Sequence, residues 1–127
     1  MRIDRRELVA IFAGGFAGAV ARALVGEWVP HDPGRWPWAT FAVNIAGAML
    51  LAWLLTRLSE RLPLSAYRRP LLGTGFCGAL TTFSTMQIEL LDMLDAGNTG
   101  LAAGYAAASI AVGAVAVWLV TNVVRAA

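Results

Sequence analysis

Four apolar stretches, each long enough to cross a lipid bilayer, take up most of this chain: Leu8 to Trp28, Trp38 to about Leu58, Leu71 to Leu94, and Leu101 to about Val124. A hydrocarbon core takes about 20 helical residues at a rise of about 1.5 Å each. Lipid offers no hydrogen bonds to a backbone, so runs of this length must satisfy their own amides as helices. The expectation is an all-α integral membrane fold in which residues 1–127 form a single four-span domain. Composition agrees: 58% of residues are hydrophobic and 14% charged, where a soluble domain carries about a quarter charged.

The connections between the runs are short. Trp28, Trp36 and Trp38 gather where the first two spans meet, as indoles do at a membrane interface, and Pro30, Pro33 and Pro37 punctuate the loop. Arg2, Arg5 and Arg6 ahead of an apolar run imitate a signal peptide, with Ala21 to Ala23 as a mock cleavage site. The run is too long for a signal core and three more follow, so the first span is expected to stay in the membrane.

An even number of spans puts both termini and the middle loop on one side. That side holds Arg2, Arg5, Arg6, Arg57, Arg61, Arg68, Arg69 and Arg125, while the other holds Arg35 alone. The positive-inside rule therefore makes both termini cytoplasmic, in the inner or plasma membrane of the cell. Arginines scattered between apolar runs do not form a phosphate-binding patch, which excludes nucleic acid as a partner. With one cysteine, Cys77, no intrachain disulfide and no paired-cysteine metal site can form; the one histidine, His31, reads as a solvated loop residue.

Several residues do not belong in lipid. Arg22 stands 14 positions after Leu8, about 21 Å along a helix, so it snorkels to the interface or faces an anion vestibule. Thr40 and Asn44 share a helical face, with Gly47 and Ala48 just beyond. The Asn44 amide either bridges two helices or offers two donors to a desolvated anion.

The third run is the informative one, from Gly73 through Thr74, Gly75, Phe76, Cys77, Gly78, Ala79 and Leu80 to Thr81, Thr82, Phe83, Ser84 and Thr85. That density of glycine and hydroxyl residues predicts a helix broken in mid-membrane. A half-helix N-terminus favours anions and unwound carbonyls favour a small cation. Phe83 and Met86 follow at a spacing of three, then Gln87 and Glu89; ring edges carry positive potential that can hold an anion loosely. In the last run Tyr105 and Ser109 are four apart, and Gly14 with Gly18 and Gly100 with Gly104 fit the small-residue spacing of helix contacts.

These strings resemble the small fluoride-channel family, Fluc or CrcB, over nearly the whole chain. They are Gly14, Gly15, Gly18, Ala19 and Arg22; Thr40, Val43, Asn44 and Gly47; and Gly75 to Gly78 followed by Thr81 to Thr85 and Glu89. The resemblance implies a passive fluoride-selective channel that exports cytoplasmic fluoride and so lowers its toxicity. It implies an antiparallel, dual-topology dimer with two pores and a structural Na+ held by backbone carbonyls of Gly78 and Thr81 from both subunits. Asn44 and Phe83 would line the fluoride route; Thr40, Ser84, Thr85, Tyr105 and Ser109 resemble its polar track, Arg22 its vestibule arginine, and Glu89 completes the motif. The chain departs at Met86, where the family usually carries a second Phe, and at Gly113, where some members carry Ser.

An enzyme is excluded by the lack of a nucleophile with a base, a phosphate loop or metal-ligand spacing. The rivals are a four-span proton-coupled multidrug exchanger, for which Glu89 would be the titrating group, and a non-conducting subunit. The arginine asymmetry conflicts with dual topology: it favours one orientation, and then an antiparallel pair is a heterodimer with an oppositely oriented homologue instead of the homodimer usual in the family.

Overall fold

Capping chemistry marks the start of the first helix. Asp4 accepts the Arg6 N–H at 2.9 Å in front of α1, Arg5–Trp28. In the computed structural model, which describes residues 4–60 and 67–127, α2 follows over Trp38–Glu60. Next comes α3, whose Arg69–Cys77 part has wide π-helical turns and whose Gly78–Leu80 part is α-helical. Thr81 and Thr82 are extended, α4 spans Phe83–Asp95, and α5 spans Thr99–Ala126. Gly97, at φ 80°, supplies the left-handed residue that ends α4, and the Asn98 N–H closes the turn on the Met93 carbonyl at 2.8 Å. Arg2 and Arg61 of the charge count lie outside the described residues.

Among the described residues three helices are long and apolar enough to cross a membrane: Arg5–Trp28, Trp38–Leu58 and Thr99–Ala126. They match the first, second and fourth expected spans to within a few residues. The stretch expected as the third span consists of α3 and α4, neither of which is long enough alone. The multi-pass membrane architecture follows from these lengths together with where the large side chains point. Phe12 and Phe16 on α1 and Ile110, Trp118 and Val123 on α5 are exposed, while the buried residues of α1 are Ala10, Gly14 and Gly18. Large apolar groups outside and small ones inside is the pattern of helices solvated by acyl chains.

The tightest seam joins α1 to α3, backbone against backbone. A Cβ on Gly14 would strike the Leu71 carbonyl, and one on Gly18 the Phe76 carbonyl. From the other side, a Cβ on Gly75 would come within 2.5 Å of the Ile11 carbonyl oxygen. Gly100 and Gly104 share the same spacing, yet an added Cβ at either meets nothing within 4 Å. Of the two glycine pairs, the first makes a helix contact within the chain and the second does not.

Met93, Ala102 and Tyr105 form a buried cluster between α4 and α5, against which Trp36, Phe41 and Met86 pack. Trp36 therefore does not share the exposed interfacial setting of Trp28 and Trp38: its ring meets Tyr105 edge to face at 5.6 Å. Its membership of this cluster pins the α1–α2 connection onto α5.

Candidate functional site: a polar cavity beside the α3–α4 break

Thr82 organises the break. Its N–H donates to Asn44 Oδ1 at 2.7 Å, and Asn44 Nδ2 donates back to the Thr82 carbonyl at 3.1 Å, so one amide side chain replaces a β-bridge partner. Thr82 Oγ1 then accepts the Thr85 N–H at 3.2 Å, capping α4, and reaches Thr85 Oγ1 at 2.9 Å.

These bonds determine which carbonyls lose their helical donors. In a continuous helix the Thr82 N–H would bond the Gly78 carbonyl and the Thr85 N–H the Thr81 carbonyl. Both donors are turned elsewhere. The Ala79 carbonyl, also stripped of its partner, accepts from Arg22 Nε at 3.0 Å. The Gly78 and Thr81 carbonyls thus lose the donors that a continuous helix would give them. Among the described residues no group of His, Cys, Asp or Glu could hold a metal ion.

Beside the break lies a cavity of about 330 Å³. Arg22 on α1, Thr40 and Val43 on α2, and Thr82, Thr85 and Glu89 around α4 line it, with His31 from the loop. Glu89, 4% exposed, is the buried carboxylate; Thr40 donates to one oxygen at 2.5 Å and Tyr105 to the other at 2.8 Å. Two hydroxyl partners are what a buried carboxyl group needs in place of water, since a buried polar group left without them costs about 1–3 kcal/mol.

The expected site residues fall into groups. Arg22, Thr40, Thr85 and Glu89 meet in the cavity, Tyr105 touches it through Glu89, and Asn44 fastens its floor. Arg22 lines the cavity and also donates through Nε to the Ala79 carbonyl of α3. Ser109 lines a different groove along α5, with Gly113, Trp118 and Asn122 and with Ala48 of α2. Phe83, 70% exposed, and the exposed Ser84 stand on the open face, whereas half-buried Met86 packs inward. One chain therefore does not assemble a single continuous track from all of these residues.

Two residues of the site were not read as such from sequence. Thr82 was one hydroxyl in a string, though a Thr just ahead of a helix start is a capping signal. His31 read as a solvated loop residue, and it is exposed in the loop; what brings it to the cavity as well is the folding of a proline-rich loop.

Buried polar groups converging between membrane helices, on a backbone that leaves its helical path, define a multi-pass membrane protein built to pass or bind a small solute. Comparison with known proteins narrows this. Residues 9–121 match the family model described as CrcB-like protein, Camphor Resistance (CrcB). The chain is 61% identical over 122 residues to the fluoride-specific ion channel FluC 1 of Mycolicibacterium paratuberculosis, covering 96% of this chain and 92% of that one. It is 46% identical over 113 residues to FluC 1 of Symbiobacterium thermophilum, covering 87% and 91% of the two chains. The chain belongs to the CrcB family.

Proposed function

We propose that this protein is a fluoride-specific ion channel that lets fluoride leave the cytoplasm down its gradient. The observation that carries this reading is the 61% identity, over nearly the whole length, to a relative named for that activity. The chemistry of the cavity supports it. Fluoride holds its water tightly, so a route for it must supply N–H and O–H donors in replacement; Arg22, Thr40, Thr85 and Tyr105 are such groups, and Asn44 Nδ2 keeps a second N–H beyond the one given to Thr82. Thr40 and Tyr105 both direct their hydroxyls at Glu89, so an arriving anion competes with a fixed carboxylate for these donors.

In this reading α3 and α4 together make the third crossing, with the break at Thr81 and Thr82 in mid-membrane. The carbonyls of Gly78 and Thr81 suit a structural Na+, since they have lost their helical donors and a hard cation takes oxygen ligands. Two carbonyls are too few for one ion, which supports an antiparallel dimer in which a second copy, or an oppositely oriented homologue, supplies the rest. The exposed polar face of Thr74, Gly78, Ser84 and Gln87 also suits a protein partner better than lipid. Phe83, on that face, and Ser109, in its separate groove, would join the fluoride route only in such an assembly.

The test is flux from liposomes containing the purified chain. Fluoride should leave much faster than chloride and without a proton gradient. Equal chloride release, or a requirement for a proton gradient as in a Glu89-coupled exchanger, overturns the proposal.

A further inference from the structure

Thr40 of α2 and Tyr105 of α5 hold different oxygens of Glu89, at 2.5 and 2.8 Å, so the separation of these two helices decides how closely the hydroxyls converge. The two bonds do not fix that separation by themselves, because both pass through the rotatable side chain of Glu89. Trp36, from the loop between α1 and α2, is wedged against both elements. Its ring meets Phe41, the residue after Thr40, edge to face at 5.4 Å, and Tyr105 edge to face at 5.6 Å.

Two observations set Trp36 apart from ordinary core packing. Its Nε1 is buried and has no hydrogen-bond partner among the described residues, although a buried indole N–H usually finds one. What places the ring is therefore its shape and its aromatic contacts. The loop that carries it is also fastened on both sides of Trp36: Asn98 Nδ2 donates to the Pro33 carbonyl at 3.0 Å, and the Phe41 N–H donates to the Pro37 carbonyl at 3.0 Å. A large ring on a held loop, touching Tyr105 and the neighbour of Thr40, acts as a spacer between two donors.

We infer that Trp36 is a positioning residue for the ion: through Phe41 and Tyr105 it sets the spacing of the Thr40 and Tyr105 hydroxyls, and with it the preference for fluoride over a larger anion. This deepens the fluoride-channel reading and rests on it. Donors held at a narrow spacing replace the water of a small anion. When the spacing relaxes, fluoride loses that replacement, whereas chloride, larger and less tightly hydrated, loses less. One edge-to-face ring pair shifts an equilibrium about two- to tenfold, and Trp36 makes such a contact on each side.

The experiment measures fluoride and chloride efflux from liposomes holding the full chain, together with thermal melting in detergent. Trp36→Leu removes the ring edges and should lower the fluoride-to-chloride ratio about three- to tenfold. Trp36→Met, closer in volume and expected to behave alike, is measured beside it so that a Trp36→Leu protein that fails to fold does not decide the matter. Trp36→Phe retains a ring edge and gives up an N–H that makes no bond, so its ratio should stay within about twofold of the wild type. Tyr105→Phe retains the ring and removes the hydroxyl; adding Trp36→Leu to it should lower the ratio less than Trp36→Leu does alone, because one of the positioned donors is already gone. A purely structural role lowers the melting temperature of the ringless variants and leaves their ratio unchanged, and that result overturns the inference. It is also overturned if Trp36→Phe loses as much preference as Trp36→Leu, or if Trp36→Leu has the same effect with and without the Tyr105 hydroxyl. No fluoride flux in the wild type overturns the channel reading and this inference together.

Discussion

Replacing Asn44 tests the organisation of the break most directly. Asn44→Ala removes both bonds to Thr82, at 2.7 and 3.1 Å. At about 1 kcal/mol net each, the loss is about 2 kcal/mol, which shifts the balance between the bracketed and unbracketed segment by roughly 30-fold. Asn44→Asp keeps the acceptor for the Thr82 N–H but sets a carboxylate oxygen against the Thr82 carbonyl, so it should be at least as harmful. The amide thus has a structural role beside any contact with the ion, and neither variant is expected to lose flux with its fold untouched. The assay pairs fluoride efflux with thermal melting in detergent. Flux should fall at least tenfold and the melting temperature by several degrees in both variants; wild-type melting and flux in Asn44→Ala would refute the reasoning.

Three further outcomes follow from the geometry. Gly14→Ala puts a methyl into the Leu71 carbonyl, an overlap that overpacking costs of about 1–3 kcal/mol describe, and should reduce the yield of folded protein on gel filtration, whereas Gly104→Ala should leave it unchanged if no partner covers that face. Thr40→Val removes one of the two donors to buried Glu89 and should destabilise by about 1–3 kcal/mol, read as a lower melting temperature, with fluoride flux reduced as well. Exchanging Na+ for a large organic cation should lower the melting temperature if the Gly78 and Thr81 carbonyls hold sodium, since a ligand bound to the folded state alone stabilises it by mass action; an unchanged melt would speak against that site.

The spans were legible because membrane thickness sets one length for every crossing helix, and α1, α2 and α5 obey it. In the third run the density of hydroxyl and glycine marked an irregular stretch, and there Thr81 and Thr82 are extended between α3 and α4. The details of that stretch were not legible. The wide turns of Arg69–Cys77 depend on how closely α1 approaches, and Gly14 and Gly100 begin motifs of the same spacing although only one meets a neighbour. Glu89 could be read as an interfacial acid like Asp92 and Asp95; what distinguishes it is Thr40 and Tyr105, 49 and 16 residues away in sequence. Those pairings belong to the fold and not to any local pattern.

The seam between α1 and α3 contains almost no side chain, and that limits how the protein can change. A contact made by side chains can be loosened or refilled by exchanging one residue for another of similar volume. A contact made by carbonyl oxygens and glycine Cα atoms has nothing to exchange, so it acts as a keel. Arg22 is mounted one turn beyond Gly18 on that keel, with its Nε at 3.0 Å from the Ala79 carbonyl just before the break. The distance between this charge and the interrupted backbone is therefore set by the close approach of two glycine-faced helices and not by packed side chains.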